Sequence, residues 1–339
     1  MHPNKVRAGR ALSWWLLVLL LGACAGGGSV VTTGGGGLSN YSQTLLDFIP
    51  HAINDQNLVV GVKDAKAVRL SGGILTTLPF LPITGAPYVA IDVNRFGNIL
   101  GATNVQQVPA VYWLAPGYPI SGWLEEPPVG VFEPKALNQD LMVVGNSGDA
   151  LVAFRWTQAG GYKPLLVTTA EQNAIVNDVN DSGVAVGRTL LGDLLIWGAT
   201  ATVAIRVAAL VRSGPFILND GTVLWSDGSA VLNRSTQGSI VRRPIPVDGV
   251  IALTGVSEVG RLIGTVTLNG VTKGWTVRGD GAVLFLTPAN PQADEHLKPV
   301  GVNRCGDIVS QRVQGVTPVS GAFHAKALIC DQPDLINTQ

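Results

Sequence analysis

Cysteine, charge and long apolar runs are all scarce in this chain, and each scarcity removes a class of protein. Three cysteines in 339 residues are too few for a disulfide scaffold or a four-thiolate zinc site. Only 14% of residues are charged, and 23 basic side chains balance 23 acidic ones without any basic run. A nucleic-acid binder needs a cationic face to displace counterions, so the balance argues against that partner. There is no GxSxG elbow, no P-loop and no dinucleotide fingerprint. Beyond the N-terminus, no stretch is long and apolar enough to cross a membrane as a helix. Apolar residues, at 46%, and glycine, at 42 positions, are abundant. That much apolar surface offsets chain entropy and excludes intrinsic disorder. The length allows one large domain or two ordinary ones.

The first 23 residues read as a targeting segment. Lys5, Arg7 and Arg10 precede an apolar run, residues 11–21, interrupted only by Ser13. As a helix this run rises about 16 Å, far short of the ~30 Å hydrocarbon core, which suits a signal peptide rather than a span. It ends in Leu21-Gly22-Ala23-Cys24, which resembles the bacterial lipobox. The resemblance implies cleavage before Cys24 and acylation of that residue, palmitate included, as a membrane anchor. Ala25 stands where an inner-membrane retention signal places Asp, so the outer membrane is the implied address, with the body either periplasmic or surface-exposed. Residues 24–40 then form a tether, with seven glycines in the sixteen positions after Cys24. Such a chain has an end-to-end distance of about 20–25 Å.

The remainder is repetitive. The string IVNDVNDSGVAVGR at 175–188 has relatives at 52–62, 90–102, 136–146, 253–265 and 299–311, and a contracted copy at 216–225. The key turn residue is read at Asn54, Asn94, Asn138, Asn180, Asn219, Ser257 and Asn303, at spacings of 40, 44, 42, 39, 38 and 46 residues. Seven residues later five copies carry glycine: Gly61, Gly101, Gly145, Gly187 and Gly264. An apolar run, an Asn/Asp/Gly turn and a second apolar run make a β-hairpin, and the repeated Asn and Gly are read as turn formers. A second pair of runs follows each hairpin, giving four strands per ~40 residues, the period of a β-propeller blade. Trp113, Trp156, Trp197 and Trp275 fall in the third strands and are read as packing between blades.

The pattern AFRWTQAGGYKPL followed by AIVNDVNDSGVAVGRT resembles the HAF family of extracellular repeats, most closely at 151–189. The resemblance covers most of 42–330, and implies an exported propeller without established catalytic residues. The expected fold is all-β, a propeller of seven four-stranded blades over 41–330, with a C-terminal tail at 331–339. An opening strand at 42–49 lacks a preceding third strand, and a final third strand at 322–329 has nothing after it. Together they complete one blade and leave no exposed edge.

Candidate chemistry is sparse. Cys305 and Cys330 fall at one rim of the last blade, where an oxidising compartment allows a disulfide; two free thiols are the alternative. His51, His296 and His324 follow no metal-ligand spacing and are assigned to different blades. Asp178, Asn180 and Ser182, with Gly183, copy the start of a calcium loop, and Asp92 and Asn94 echo it. No bidentate acid stands at the twelfth position, and an Asx turn explains the same residues, so no cofactor is expected. Glu125 and Glu126 precede two prolines and read as a solvated loop. Two functional readings follow. One is a non-catalytic module binding a protein or polysaccharide of the cell envelope. The other is a propeller hydrolase or lyase with its site at the channel mouth.

Overall fold

The computed structural model describes residues 41–79, 88–103, 111–115, 117, 120–123, 132–147, 151–168, 171, 173–278 and 281–326. Each repeat folds into one antiparallel four-stranded sheet, and seven sheets follow one another round a ring. Blades 1 to 6 span residues 49–77, 89–123, 132–164, 174–207, 213–243 and 250–286. Blade 7 is built from both ends of the body. Its inner three strands are Glu295–Val302, Ile308–Gln314 and Thr317–Lys326, and Tyr41–Leu46 lies outside the last of them. The register runs from Tyr41↔Lys326 to Leu46↔Gly321. The opening segment therefore divides: residues 41–46 close blade 7, and Ile49 already begins the inner strand of blade 1. No described helix is long and apolar enough to cross a membrane.

The turn between the first and second strands repeats seven times. The residue three places after its first position has positive φ in every blade: Asn57, Gly97, Leu141, Gly183, Gly221, Gly260 and Gly306. In blade 5 the turn begins at Leu218, which accepts from Gly221 and donates to Thr222 as Asn180 does with Gly183 and Val184. The sequence reading placed it at Asn219. Gly221 must occupy the left-handed position, which fixes the start one residue earlier.

The glycines seven positions on are not turn residues. They lie in the second strand, pressed against a ring, a backbone or both. A Cβ on Gly101 would stand 2.3 Å from the Trp113 ring. One on Gly187 would meet the Ile175 carbonyl at 2.3 Å and Trp197 at 2.9 Å, and one on Gly264 would meet Trp275 at 2.4 Å. These tryptophans are fully buried, and their rings fill the seams between neighbouring blades. Trp113 and Trp197 also donate their indole N–H to Pro79 and Leu166 carbonyls of the preceding blade, both at 2.9 Å. Blade 5 departs from this, with Trp225 itself at the glycine position, fully buried, and Arg234 opposite Val223 where Trp113 stands opposite Ile99.

Candidate functional site at the channel mouth

Seven inner strands converge on the axis, and their turns form one mouth of the central channel, here called the turn face. The cavity there encloses about 190 Å³ and is lined by all seven blades. Two rings of polar residues build it.

The first ring is the turn residue itself. Its side-chain oxygen accepts backbone N–H groups two and four residues on, as Asn94 does from Phe96 and Asn98 at 3.1 and 3.0 Å. Its amide then donates to the turn carbonyl of the next blade. Asn54 donates to Asn94, Asn94 to Asn138, Asn138 to Asn180 and Asn180 to Leu218, at 3.0–3.2 Å. Asn303 turns its amide to Asn57 of blade 1 at 2.6 Å and so carries the belt across the closure. Leu218 has no amide to give, and Ser257 only accepts from Arg261.

The second ring is the next residue along: Asp55, Arg95, Gln139, Asp181, Asn219, Glu258 and Arg304. Here the side chain of one blade caps a backbone N–H of the blade before it. Gln139 accepts from Arg95, Asp181 from Gln139, Asn219 from Asp181 and Asp55 from Arg304, at 2.7–3.2 Å. Glu258 is half-buried, and desolvation reinforced by the Asp55 and Asp181 carboxylates raises its pKa. The Arg95 guanidinium lies 5.0 Å over the Phe96 ring, which is itself exposed.

Deeper in the channel wall, two positions before the turn residue, stand Asp92 and Asp178. Each inner strand bulges here, which frees N–H groups from the ladder. Asp92 accepts from Val93 and from Leu137 of blade 3, both at 2.8 Å. Asp178 accepts from Val179 at 2.8 Å and Ile217 of blade 5 at 2.9 Å. Burial outweighs these bonds, pushing the Asp92 carboxyl up to about 6 and that of Asp178 to about 7.

The residues singled out in the sequence fall as follows. Asp178 faces the channel, while Asn180 spends its oxygen on Val184 and its amide on Leu218, and Ser182 is exposed. Among the described residues no group of three His, Cys, Asp or Glu side chains is placed to hold a metal ion. His51 sits at the bulge of blade 1 and hydrogen-bonds the Ala90 carbonyl at 2.7 Å. His296 and His324 both belong to blade 7, against the assignment to separate blades, because its first strand begins as early as Glu295. His324 occupies the position in that sheet that Trp113, Trp156 and Trp197 occupy in theirs, and is fully buried with burial lowering its pKa to about 4. Cys305 lies in the blade 7 turn and is disulfide-bonded. Cys24, Glu125, Glu126 and Cys330 lie outside the described residues. The second ring went unread in the sequence, although its signal is simple: it is the residue after the turn position in each repeat.

Comparison with solved structures agrees with this geometry. A catalytically inactive histidine-to-alanine variant of virginiamycin B lyase from Staphylococcus aureus, with quinupristin, superposes with a TM-score of 0.61 at 13% identity. The match covers 85% of this chain and 100% of that one. A streptogramin B lyase matches at 0.57 and 12% identity, over 86% and 100% of the two chains. U3-55K matches at 0.57 and 11%, over 86% and 99%. The chain is a seven-bladed β-propeller. At these identities the likeness is one of fold, and it spans both enzymes and U3-55K. No family model and no curated protein matches the sequence, so the resemblance to HAF repeats rests on the residues quoted for it.

Proposed function

We propose that this propeller is an exported lipoprotein, anchored through Cys24 in the outer membrane, that binds a protein or polysaccharide of the cell envelope at the turn-face mouth without transforming it. The observation that supports a non-catalytic role is how the mouth spends its polar groups. The Asn belt, Gln139, Asp181, Asn219, Asp92 and Asp178 all bridge one blade to the next. Groups so committed make a rigid rim. Arg95, Glu258 and Arg304 are the ring members whose side chains take no part in those bonds, and they give the rim charges of both signs for recognition. None of His51, His296 and His324 lines the cavity.

A second reading, a lyase or hydrolase, is favoured by one observation. Asp92 and Asp178 are buried carboxyls poised near neutrality in a channel, which suits general acid–base work.

Crosslinking of the tagged protein in cells, followed by mass spectrometry, tests the choice. One partner is expected to enrich with the wild type and to be lost from an Arg95→Glu, Glu258→Lys double variant. Capture indifferent to both substitutions would move the ligand elsewhere on the surface. Turnover of quinupristin or of a glycan, abolished in Asp178→Asn, would establish the enzyme instead. Labelling with radioactive palmitate, lost in Cys24→Ala, tests the anchor separately.

A further inference from the structure

The face opposite the turn face carries the hairpins that join second to third strands, and several of these end in bare aliphatic side chains. In blade 4, Leu190 and Leu191 are 52% and 85% exposed. Leu210, from the connection into blade 5, lies beside that hairpin, where Val211 donates to the Gly192 carbonyl. In blade 6, Leu268 and Val271 flank the Asn269-Gly270 turn as a cross-strand pair, with exposed Val250 in the adjoining strand. In blade 7, Val316 at the hairpin tip is 94% exposed, and Val319 is exposed behind it.

We propose that these tips rest in the interfacial layer of a lipid bilayer, so that the propeller lies with this face on the membrane and its channel mouth turned away. The proposal rests on the anchored reading of Cys24 above. Two features select lipid over other occupants. The tips are separate projections on one face rather than a groove, and a bilayer surface can receive them together. The blade 5 hairpin between them is polar, with Asp227 bound to Arg242 and Ser229. That polar break divides the contiguous apolar core that a stable protein interface requires. Interfacial insertion, by contrast, needs only side chains reaching about 5–10 Å into the headgroup and acyl boundary.

The chain outside the structure permits this pose. The tether enters at Tyr41, on the turn face, since Tyr41 pairs with Lys326, whose N–H is bound by Asp307 of the blade 7 turn. Seventeen residues from Cys24 extend to about 55–60 Å, whereas a strand of seven residues stands only about 23 Å tall. A chain of that length can therefore reach past the edge of the disc, and the tips decide which face settles.

The test places tryptophan singly at Leu191, Val316 and, on the turn face, Phe96 of the full-length lipoprotein. Each variant is reconstituted into phosphatidylethanolamine–phosphatidylglycerol vesicles with brominated acyl chains. Fluorescence added by the new ring, measured against wild type, is expected to fall by roughly half at 191 and 316, an insertion depth that brings the ring to the bromines, and to stay unchanged at 96. Unquenched rings at 191 and 316 overturn the proposal, as does equal quenching at 96. Unquenched tips that crosslink to a second copy or to another protein overturn it in favour of that occupant. Failure of the anchor reading is read independently, from the intact mass of the mature N-terminus. Unacylated protein whose tips are still quenched on added vesicles would uphold the surface without the anchor.

Discussion

At Asn138 the side-chain oxygen accepts from Asp140 and Met142 while the amide donates to Asn180 of the next blade. Serine and aspartate can do the first of these tasks, but the serine hydroxyl is too short to reach the next blade and an ionised aspartate has no hydrogen to donate. Asn138→Ser should therefore keep the turn and cost about 1 kcal/mol through the loss of one of two donors to the Asn180 carbonyl, which keeps the Gly183 N–H. Asn138→Asp should cost more, because it turns a buried carboxylate towards a carbonyl, and the difference should grow as pH rises through the carboxyl pKa. Urea midpoints of the two variants at pH 4.5 and 7.5 check both statements. The glycines divide in a similar way. Gly187→Ala drives a Cβ into the Ile175 carbonyl and the Trp197 ring and should cost about 1–3 kcal/mol or more. Gly270→Ala meets nothing within 4 Å and carries only the strain of φ near +79°, about 1–2 kcal/mol. Thermal denaturation of the pair separates crowding from backbone strain.

At the level of the element, the hairpin and the shared blade were legible because both are local. A positive-φ residue, a turn residue and two apolar runs recur within a dozen positions, and the strands at the two ends had no partners nearer in sequence. The same locality misled at blade 5, where Asn219 in Leu-Asn-Asp-Gly drew the alignment one place past Leu218. It could not reach the second ring either. Arg95 meets Gln139 only once blade 3 packs on blade 2, and Arg304 meets Asp55 only after the ring has closed. The closing strand carries its own consequence. Without Tyr41–Leu46, the ladder of Thr317–Lys326 becomes an open edge, and the buried His324 loses Gln43, its neighbour across that ladder. A chain lacking residues 1–46 should associate or aggregate where the complete body stays monomeric, as light scattering will show.

For the whole molecule, the buried ionisable groups set how stability varies with pH. Asp92 and Asp178 have folded-state pKa values near 6 and 7, above the usual 3.8, so the folded state holds protons that the unfolded chain releases. Their contribution is complete below about pH 4 and is lost as pH climbs through 6 to 7, by up to about 1.4 kcal/mol per unit for each group. His324, lowered to about 4, works the other way: its contribution is complete above pH 6.5 and is lost as pH falls through 4. Two acids outweigh one imidazole, so these groups make the propeller more stable at pH 4.5 than at 7.5. An Asp92→Asn, Asp178→Asn double variant should reverse the slope, and His324→Leu should steepen it. Both follow from urea midpoints across that range.

The bonds of the belt share one sense, each blade reaching for its successor, and that relay lapses at two neighbouring joints. Leu218 sends nothing to blade 6, and Ser257 sends nothing to blade 7. The place where the polypeptide is discontinuous is better secured, by Asn303 on Asn57, Arg304 on Asp55 and Gln311 on Pro50. Blade 7 keeps a further hold on blade 6 through Arg261 and the Arg304 carbonyl. The disc thus has a fault line in its turn-face belt between blades 5 and 6, one blade away from the closing sheet; Ser213 and Ser226 tie blades 5 and 6 only outside the belt. Under load, or on the way to unfolding, it should gape there first, with amide hydrogens around Leu218 and Ser257 exchanging ahead of those at the closure.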